Sequence, residues 1–399
     1  MNVGEITVSE ILDSRGEKTI EVSVERNGQL YSTKLPSGKS RGKREAVSLG
    51  ARHALEVLEG GLKKEILSRD ISSVSDLDHF LVDYDGTENK SKIGGDLSLG
   101  LSISFARALA GERGIELFEL LKDEYFGAAS SGRVPKIFSN MINGGAHAEN
   151  NLDIQEYHVV GEIHNSVYET IREIKNLYTK LGELLTRNYG KEKMRLGDEE
   201  GYAPDFTNNK EPLEFLTEIV SASESKGAFT LGLDAAASSF YKDGSYNFER
   251  ENLNKEKLMG VYKKYFDDIS LLQSIEDPFA EDDDSGFAEM FKEYGREKLL
   301  IGDDLTTTNQ NAIKKFAEKL INGVIIKPNQ IGTVTETCEA MLTAGNLGIK
   351  RIISHRSGEV EDPFIIHFAK AGGAEGVKIG VPVKRERIIK FEELTRLYS

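Results

Sequence analysis

Cysteine is almost absent: Cys338 stands alone among 399 residues, so no disulfide can close within the chain and a reducing compartment suits it. It reads as a small buried hydrophobe. No uninterrupted apolar run approaches the roughly 18 residues of a membrane span. The start, Met1-Asn2-Val3-Gly4-Glu5, lacks the basic residues and apolar core of a secretory leader. A cytoplasmic protein with no membrane partner is expected. Positive charge is in deficit too, with 51 Lys and Arg against 66 Asp and Glu and a formal net charge of -15. Such a chain repels phosphate backbones, which argues against broad nucleic-acid binding. An anionic substrate would need metal ions or a local basic pocket.

What is present is the balance of a soluble globular protein, 39% hydrophobic and 29% charged. The length suits a small domain followed by a barrel of about 250 residues. Ile20, Val22 and Val24 alternate with Glu21, Ser23 and Glu25, and Asn27-Gly28 then supplies a tight turn before Leu30-Tyr31, the pattern of a half-buried hairpin. From Arg44 the period becomes helical, with Val47, Ala51, Ala54, Leu55, Leu58 and Leu62 expected on one face. A second helix is expected near Leu97–Ala110. These elements make an N-terminal α+β domain over 1–127, and Ala128-Ala129-Ser130-Ser131-Gly132 reads as a linker to a unit spanning 133–399.

In that second unit, short apolar runs each end on a polar or charged residue: Leu231-Gly-Leu-Asp234, Leu271-Leu-Gln-Ser-Ile-Glu276, Leu299-Leu-Ile-Gly-Asp303, Val324-Ile-Ile-Lys327, Ile352-Ile-Ser-His355 and Val377-Lys378. Successive ends differ by 42, 27, 24, 28 and 23 positions. After the first, these gaps suit one strand plus one helix, and Ala312–Ile321 and Glu336–Ala344 supply two of the helices. Repeated βα units close most economically into a barrel whose functional groups gather where the strands end. The alternative, an open doubly wound sheet, binds at one switch point and does not call for a charged residue after nearly every strand.

Asp234, Glu276 and Asp303 would then be three carboxylates at three strand ends. Oxygen donors without His or Cys partners favour a hard cation, Mg2+ before Zn2+, although a lone carboxylate at a strand end is more often a cap or a salt-bridge partner. Lys327 is either a lysine snorkelling out of the barrel or a base near metal and other cations, with its pKa lowered so that the neutral amine can take a proton. His355-Arg356-Ser357-Gly358 sets a fork of donors and a hydroxyl in one loop, suited to phosphate, though Arg356 could equally hold Glu361 or Asp362. Gly197-Asp198-Glu199-Glu200-Gly201 is an acidic loop that could face Lys327, and Asn143-Gly-Gly-Ala-His147 with Gln155-Glu156 adds a flexible loop and an amide-carboxylate pair. Ser37-Gly38-Lys39-Ser40 is no P-loop, because position 33 is Thr where the first glycine is required.

Read in order, nine strings resemble the enolase family over essentially the whole chain. They are Leu12-Asp-Ser-Arg-Gly16, Pro36-Ser-Gly38, Asn89-Lys-Ser-Lys92, Ile142-Asn-Gly-Gly-Ala-His147, Gly197-Asp-Glu199, Ser274-Ile-Glu-Asp-Pro-Phe279, Gly302-Asp-Asp-Leu-Thr306, Asn329-Gln-Ile-Gly-Thr333 and Ser354-His-Arg-Ser-Gly358. The resemblance implies a small N-terminal α+β domain and an irregular C-terminal (β/α)8-type barrel with a ββαα start, which would account for the long first gap. It implies a lyase that interconverts 2-phosphoglycerate and phosphoenolpyruvate with two Mg2+ per site, and an assembly of one or more dimers. Carried over, it makes Asp234, Glu276 and Asp303 the ligands of the first ion, and Ser37 a ligand of the second with the substrate phosphate. Lys327 becomes the base and Glu199 the acid. Arg356 and Ser357 match phosphate contacts, Lys378 a carboxylate contact, and His147, Gln155, Glu156 and His355 the remaining wall, with Asp304 behind the ligands.

Two other readings compete: a racemase or cycloisomerase of the wider superfamily, which would lack the phosphate clamp of residues 355–357, and a non-catalytic paralogue, which would have lost a ligand or base. Departures from the family pattern are Glu200 where a glycine usually follows the acid, Ser239 for a common glutamate, and the charged first loop Ser37-Gly-Lys-Ser-Arg41.

Overall fold

The computed structural model describes residues 3–39, 42–130, 132–317 and 319–399. Ser40 and Arg41 of the first loop and Ser131 of the linker fall outside them.

Strands β1 (Val3–Leu12), β2 (Lys18–Arg26) and β3 (Gln29–Lys34) form an antiparallel sheet in that order. Asn27 and Gly28 take φ of 53° and 77°, the left-handed pair that a two-residue hairpin of this twist requires. The helix Gly95–Arg113 packs across β2 and β3, and Gly100 permits it: a Cβ there would stand 2.4 Å from a Val22 methyl. The helix expected from Arg44 starts only at Gly50. The amides of Ala46 and Val47 donate instead to the carbonyls of Gln330 and Asn89, which ties this segment to its surroundings before a helix can begin. The buried face is consequently Ala54, Leu58, Leu62 and Ile66, while Leu55 is exposed.

Eight strands then close a barrel. β4 (Lys136–Asn143), β5 (Glu156–Gly161) and β6 (Phe229–Asp234) are joined by antiparallel pairing. Two helices, Val167–Tyr189 and Glu211–Ser221, lie between β5 and β6, so the start is ββαα as the resemblance implied. A small antiparallel sheet follows, made of β7 (Tyr241–Lys242), β8 (Ser245–Phe248) and β9 (Glu251–Leu253). β10 (Leu272–Glu276), β11 (Leu299–Gly302), β12 (Gly323–Ile326), β13 (Lys350–Ser354) and β14 (Gly376–Lys378) pair in parallel, and β14 closes onto β4. The architecture is an α+β domain with an α/β barrel. The long gap before Glu276 is filled by this extra sheet and the helix Lys255–Asp268, not by the ββαα start, which lies upstream of Asp234. The helix expected over Ala312–Ile321 stops at Phe316, where Ala317 leaves helical geometry and bridges to Ile321. Among the described residues no helix is long and apolar enough to cross a membrane, and Cys338 is buried in the core.

The N-terminal elements are fastened to the barrel by polar contacts. Arg107 grips Asp362 at 2.5 Å, Ser37 and Gly358 exchange backbone hydrogen bonds at 2.8 and 2.9 Å, and Asp78 accepts from the Thr335 amide at 2.8 Å. Asp78 is fully buried, and burial pushes its carboxyl up to about 6. Its proton is held more tightly in the folded than in the unfolded chain, so stability falls as pH rises from about 4 through 6. Replacing Asp78 with Asn removes that dependence. The unfolding free energy of Asp78→Asn relative to the parent should rise by roughly 1–2 kcal/mol between pH 5 and pH 8. Chemical denaturation at the two pH values measures it, and a constant difference would rule the effect out.

Candidate active site at the barrel mouth

Parallel strands bring their C-terminal ends to one mouth, and the reversed β5 brings its start there. In register, Glu156 of β5, Asp234 of β6 and Glu276 of β10 stand side by side. All three are buried, and their charges meet on one ammonium: Lys378 Nζ lies 2.8 Å from Asp234, 3.0 Å from both oxygens of Glu276 and 3.2 Å from Glu156. Burial and Asp234 push the Glu276 carboxyl well above its ordinary range despite this partner. The neighbouring carboxylates thus leave a negative potential that one lysine does not cancel, and Glu276 favours a proton or another cation.

On the neighbouring strand end, Asp303 forms an ion pair with Lys327 and accepts from Gln330 Nε2 at 2.9 Å. Behind it, Asp277 takes φ of 41° and accepts the amides of Asp303 and Asp304 at 3.0 and 2.7 Å, which fixes the turn that presents Asp303. Burial and Asp303 raise Asp304 to about 7. Lys327, expected to be a base whose pKa is lowered by metal and other cations, is paired here with Asp303. Burial does act in that direction, but Asp303 outweighs it and raises the amine.

Across the mouth, Glu199 and Glu156 share His147, whose Nδ1 lies 3.7 and 3.3 Å from them. Glu199 also faces His355 Nε2 at 3.4 Å and accepts from Asn140 at 2.9 Å, and His158 stands 2.8 Å from Glu156. Burial works against ionisation of both glutamates. Lys378 with His147 and His158 nonetheless holds Glu156 well below its usual range, and His355 with His147 does the same for Glu199. Burial holds His355 down, whereas the two glutamates overcome burial and raise His147. The ligand-capable atoms of His147, Glu156 and Glu199 converge within 4.8 Å. With the raised imidazole of His147 and the ammonium of Lys378 already beside these carboxylates, this group is suited to handling protons.

The third side is cationic. Arg356 sits on Glu45 at 3.0 Å and on Asn329 at 3.1 Å, and Gln330 bridges from Glu45 to Asp303. Gly38 is obligatory beside it, since a Cβ there would lie 1.8 Å from the Arg356 guanidinium. Ser357 Oγ accepts the Lys39 amide at 3.0 Å. His147, Gln155, Glu156, Glu199, Lys327, His355, Arg356, Ser357 and Lys378 thus line one pocket. Asp234, Glu276 and Asp303 reach it through the two lysines. Ser37 is not among them: its hydroxyl donates to Asp13 at 2.6 Å and accepts from Arg15 at 2.7 Å, in a neighbouring space it shares with Arg356.

Three further residues went unread in the sequence. Asn140 and His158 sit inside strands, where nothing separates a site residue from a satisfied core polar one, and Glu45 acts through Arg356 and Gln330, 311 and 285 positions away. Glu200 takes φ of +67°, a backbone geometry that accounts for glycine in the family pattern, and it pairs with Lys384 at 2.5 Å. Lys39 reaches Asp198 at 3.1 Å, and Ser239 is exposed on the turn after β6. Roomier cavities of about 480 and 600 Å³ open where β4, β6, β11 and β13 begin, but their lining holds no comparable convergence of buried charge.

The donor set fits a hard divalent cation. Three buried, oxygen-only carboxylates stand at adjoining strand ends under an uncancelled negative potential, and the groups among them are the flexible termini of Lys327 and Lys378 and the side-chain amides of Gln155 and Gln330.

Comparison with known proteins agrees with this geometry. Residues 3–121 match the enolase N-terminal domain and residues 132–399 the enolase C-terminal TIM barrel domain. The enolase of Methanopyrus kandleri is 39% identical over 408 residues, covering 98% of this chain and 94% of that protein. Those of Aeropyrum pernix and Methanocaldococcus jannaschii are each 36% identical, covering 97% and 99% of this chain and 92% and 94% of theirs. With both parts matched in order and the identity running nearly end to end, the chain belongs to the enolase family.

Proposed function

We propose that this enolase reversibly dehydrates 2-phospho-D-glycerate to phosphoenolpyruvate, the hydro-lyase step of glycolysis and gluconeogenesis, at the mouth described above. The observation that supports it best is the opposition of Lys327 and Glu199 across one buried pocket, between a carboxylate cluster and an arginine-serine turn. Asp234, Glu276 and Asp303 are the residues that would hold magnesium. Bound there, it stabilises the negative charge that develops on the substrate carboxylate when the C2 proton leaves. Ser37 would join a second ion only by leaving Asp13. A small-molecule substrate, a cytoplasmic setting and a dimer or assembly of dimers complete the reading.

Arg356 and Ser357 bind the phosphate, and Lys378 with Gln155 orients the carboxylate. Lys327 then takes the C2 proton and becomes an ammonium. Burial, Arg356 and Lys378 all favour its neutral amine, while Asp303 and Glu276 oppose them. A divalent cation held by these two carboxylates would offset their charge and so weaken the opposition. Glu199 gives its proton to the C3 hydroxyl, which departs as water. The two histidines favour its ionised form in the free pocket, but the negative charge of the bound substrate shifts the balance toward the acid. His147, His355 and Asn140 hold Glu199 in place, and Glu156 acts on it through their shared His147.

Magnesium should stabilise the fold. At 100 times its dissociation constant it adds about 2.7 kcal/mol, a rise of several degrees in Tm, and Asp303→Asn should lose most of that rise while folding normally. Equal magnesium-induced shifts in parent and variant would remove Asp303 from the ligand set. Without a divalent cation, no phosphoenolpyruvate should form.

The base and the acid can be separated in deuterated buffer. Lys327→Ala should lose turnover and C2 proton exchange together, roughly 10³-fold or more, because no later step occurs without proton removal. Glu199→Gln should lose turnover yet keep measurable exchange, because proton removal precedes hydroxide departure. NMR of 2-phosphoglycerate with magnesium reads both. Exchange surviving in Lys327→Ala, or equal exchange in the two variants, would reverse or void the assignment.

A further inference from the structure

The helix Arg385–Tyr398 lies beneath the turn that carries His355, Arg356 and Ser357, and the mechanism above makes no use of it. Its inner face holds two cations three positions apart, Arg387 and Lys390, both with 0% exposure. A charge so deeply buried is costly unless its donors are paired. Lys390 is well paired: it donates to the carbonyls of Val360 and Glu386 at 2.9 and 2.8 Å and lies 3.3 Å from Glu359. Arg387 is not. Its Nη2 donates to the Ser357 carbonyl at 3.3 Å, while Nε and Nη1 find no hydrogen-bond partner among the described residues.

The position of the guanidinium gives it a role. Gly380, with φ of +69°, lies between Arg387 and His355: a Cβ there would stand 2.8 Å from Arg387 Cδ and Nε and 3.1 Å from His355 Cε1. Glycine thus lets the guanidinium rest close to an edge of the imidazole whose Nε2 faces Glu199 at 3.4 Å. We infer that Arg387 is a positioning residue of the dehydration site, anchoring the Ser357 carbonyl from the C-terminal helix and keeping His355 a neutral partner of Glu199. The inference rests on the reading of Glu199 as the acid.

The chemistry follows from charge. A proton added to the Glu199–His355 pair can sit on either group, and a fixed cation behind the ring penalises the imidazolium. Glu199 and Glu156 face His355 and favour its protonation. Arg387 from the helix, Lys378 from the adjoining strand and Lys327 and Arg356 around the pocket oppose it, and His147 attends Glu199 from the far side. Burial and Arg387 together prevail over the glutamates. The histidines hold Glu199 ionised in the free pocket, so weakening the imidazole's claim on the proton lets the negative charge of bound substrate carry it to Glu199, where departure of the C3 hydroxyl requires it.

The test uses the full chain with magnesium and 2-phosphoglycerate, with circular dichroism and Tm confirming that each variant folds. Arg387→Met should lower kcat/KM by roughly 10- to 100-fold, partly through KM as the 355–358 turn loosens. It should also move the acidic limb of the kcat pH profile upward by about half a unit or more, because His355 then protonates more readily. Arg387→Lys keeps the charge without the fork, so it should restore the pH profile and retain the higher KM. A folded Met variant within twofold of the parent overturns the inference. So does a Met variant with lowered activity and an unmoved profile, since that is what a merely structural residue would give. If the Met variant fails to fold, the Lys variant decides: KM raised at least threefold with the parental profile supports positioning, and parental KM overturns it. An inactive parent would sink the reading of the site and this inference with it, whereas an active parent with an unaffected Met variant sinks this inference alone.

Discussion

One ammonium among carboxylates organises the mouth of this barrel. Lys378 reaches Glu156, Asp234 and Glu276 at 2.8–3.2 Å, so three adjoining strand ends that would repel one another are held in register. The neutralisation is incomplete, as the raised carboxyl of Glu276 shows. That residual charge has two consequences. It makes the cluster receptive to a cation, and it sets the charge balance that Lys327, Asp303 and Glu199 feel around it. A barrel with the same strands and an apolar residue at 378 would leave three buried carboxylates without this partner, and each would tend to protonate rather than bind metal.

The N-terminal part of the chain completes the site instead of merely covering it. Glu45 orients Arg356, Gly38 leaves the space that the guanidinium fills, and the exchange between Ser37 and Gly358 fastens the first loop to the phosphate turn. Through Gln330, the Arg356–Glu45 pair is linked to Asp303, so one hydrogen-bonded chain runs from the phosphate side to the carboxylate side. Buried networks of this kind are rigid only when nearly every member is satisfied.

Six of the eight barrel strands were legible because each is a short apolar run that stops at a polar or charged residue, with 23–28 positions between most of the stops to hold one helix, whereas the antiparallel pair β4 and β5 shows no such stop. The side chains at those stops were legible for the same reason. Elements whose boundaries depend on distant partners were not: the amides of Ala46 and Val47 bond to Gln330 and Asn89, and the sequence around Arg44 carries no mark of it. The charge balance at Lys327 was not legible, because its nearest neighbour is a carboxylate 24 positions upstream and only three-dimensional proximity pairs the two. Glu45, Asn140, His158 and Arg387 act through other side chains, so no local pattern announces them.

The reversal of β5 has a consequence for how this rim could change over time. Because β5 runs downward, the helix Val167–Tyr189 starts at the closed end of the barrel and climbs, and the helix Glu211–Ser221 descends to the start of β6. The turn between them, which carries Glu199, therefore arrives at the mouth as a helix-to-helix connection and is pinned to the end of β4 by Asn143 and Tyr202. Within it, Lys191–Lys193 are exposed and lie outside the bridges and hydrogen bonds that pin the turn, so insertions there leave the strand ladders untouched. The acid thus sits a few residues beyond an exposed stretch with room to vary in length, while the base and the three carboxylates stay on the fixed frame, and a lineage could alter the approach to the acid without rebuilding the part of the site that gathers charge.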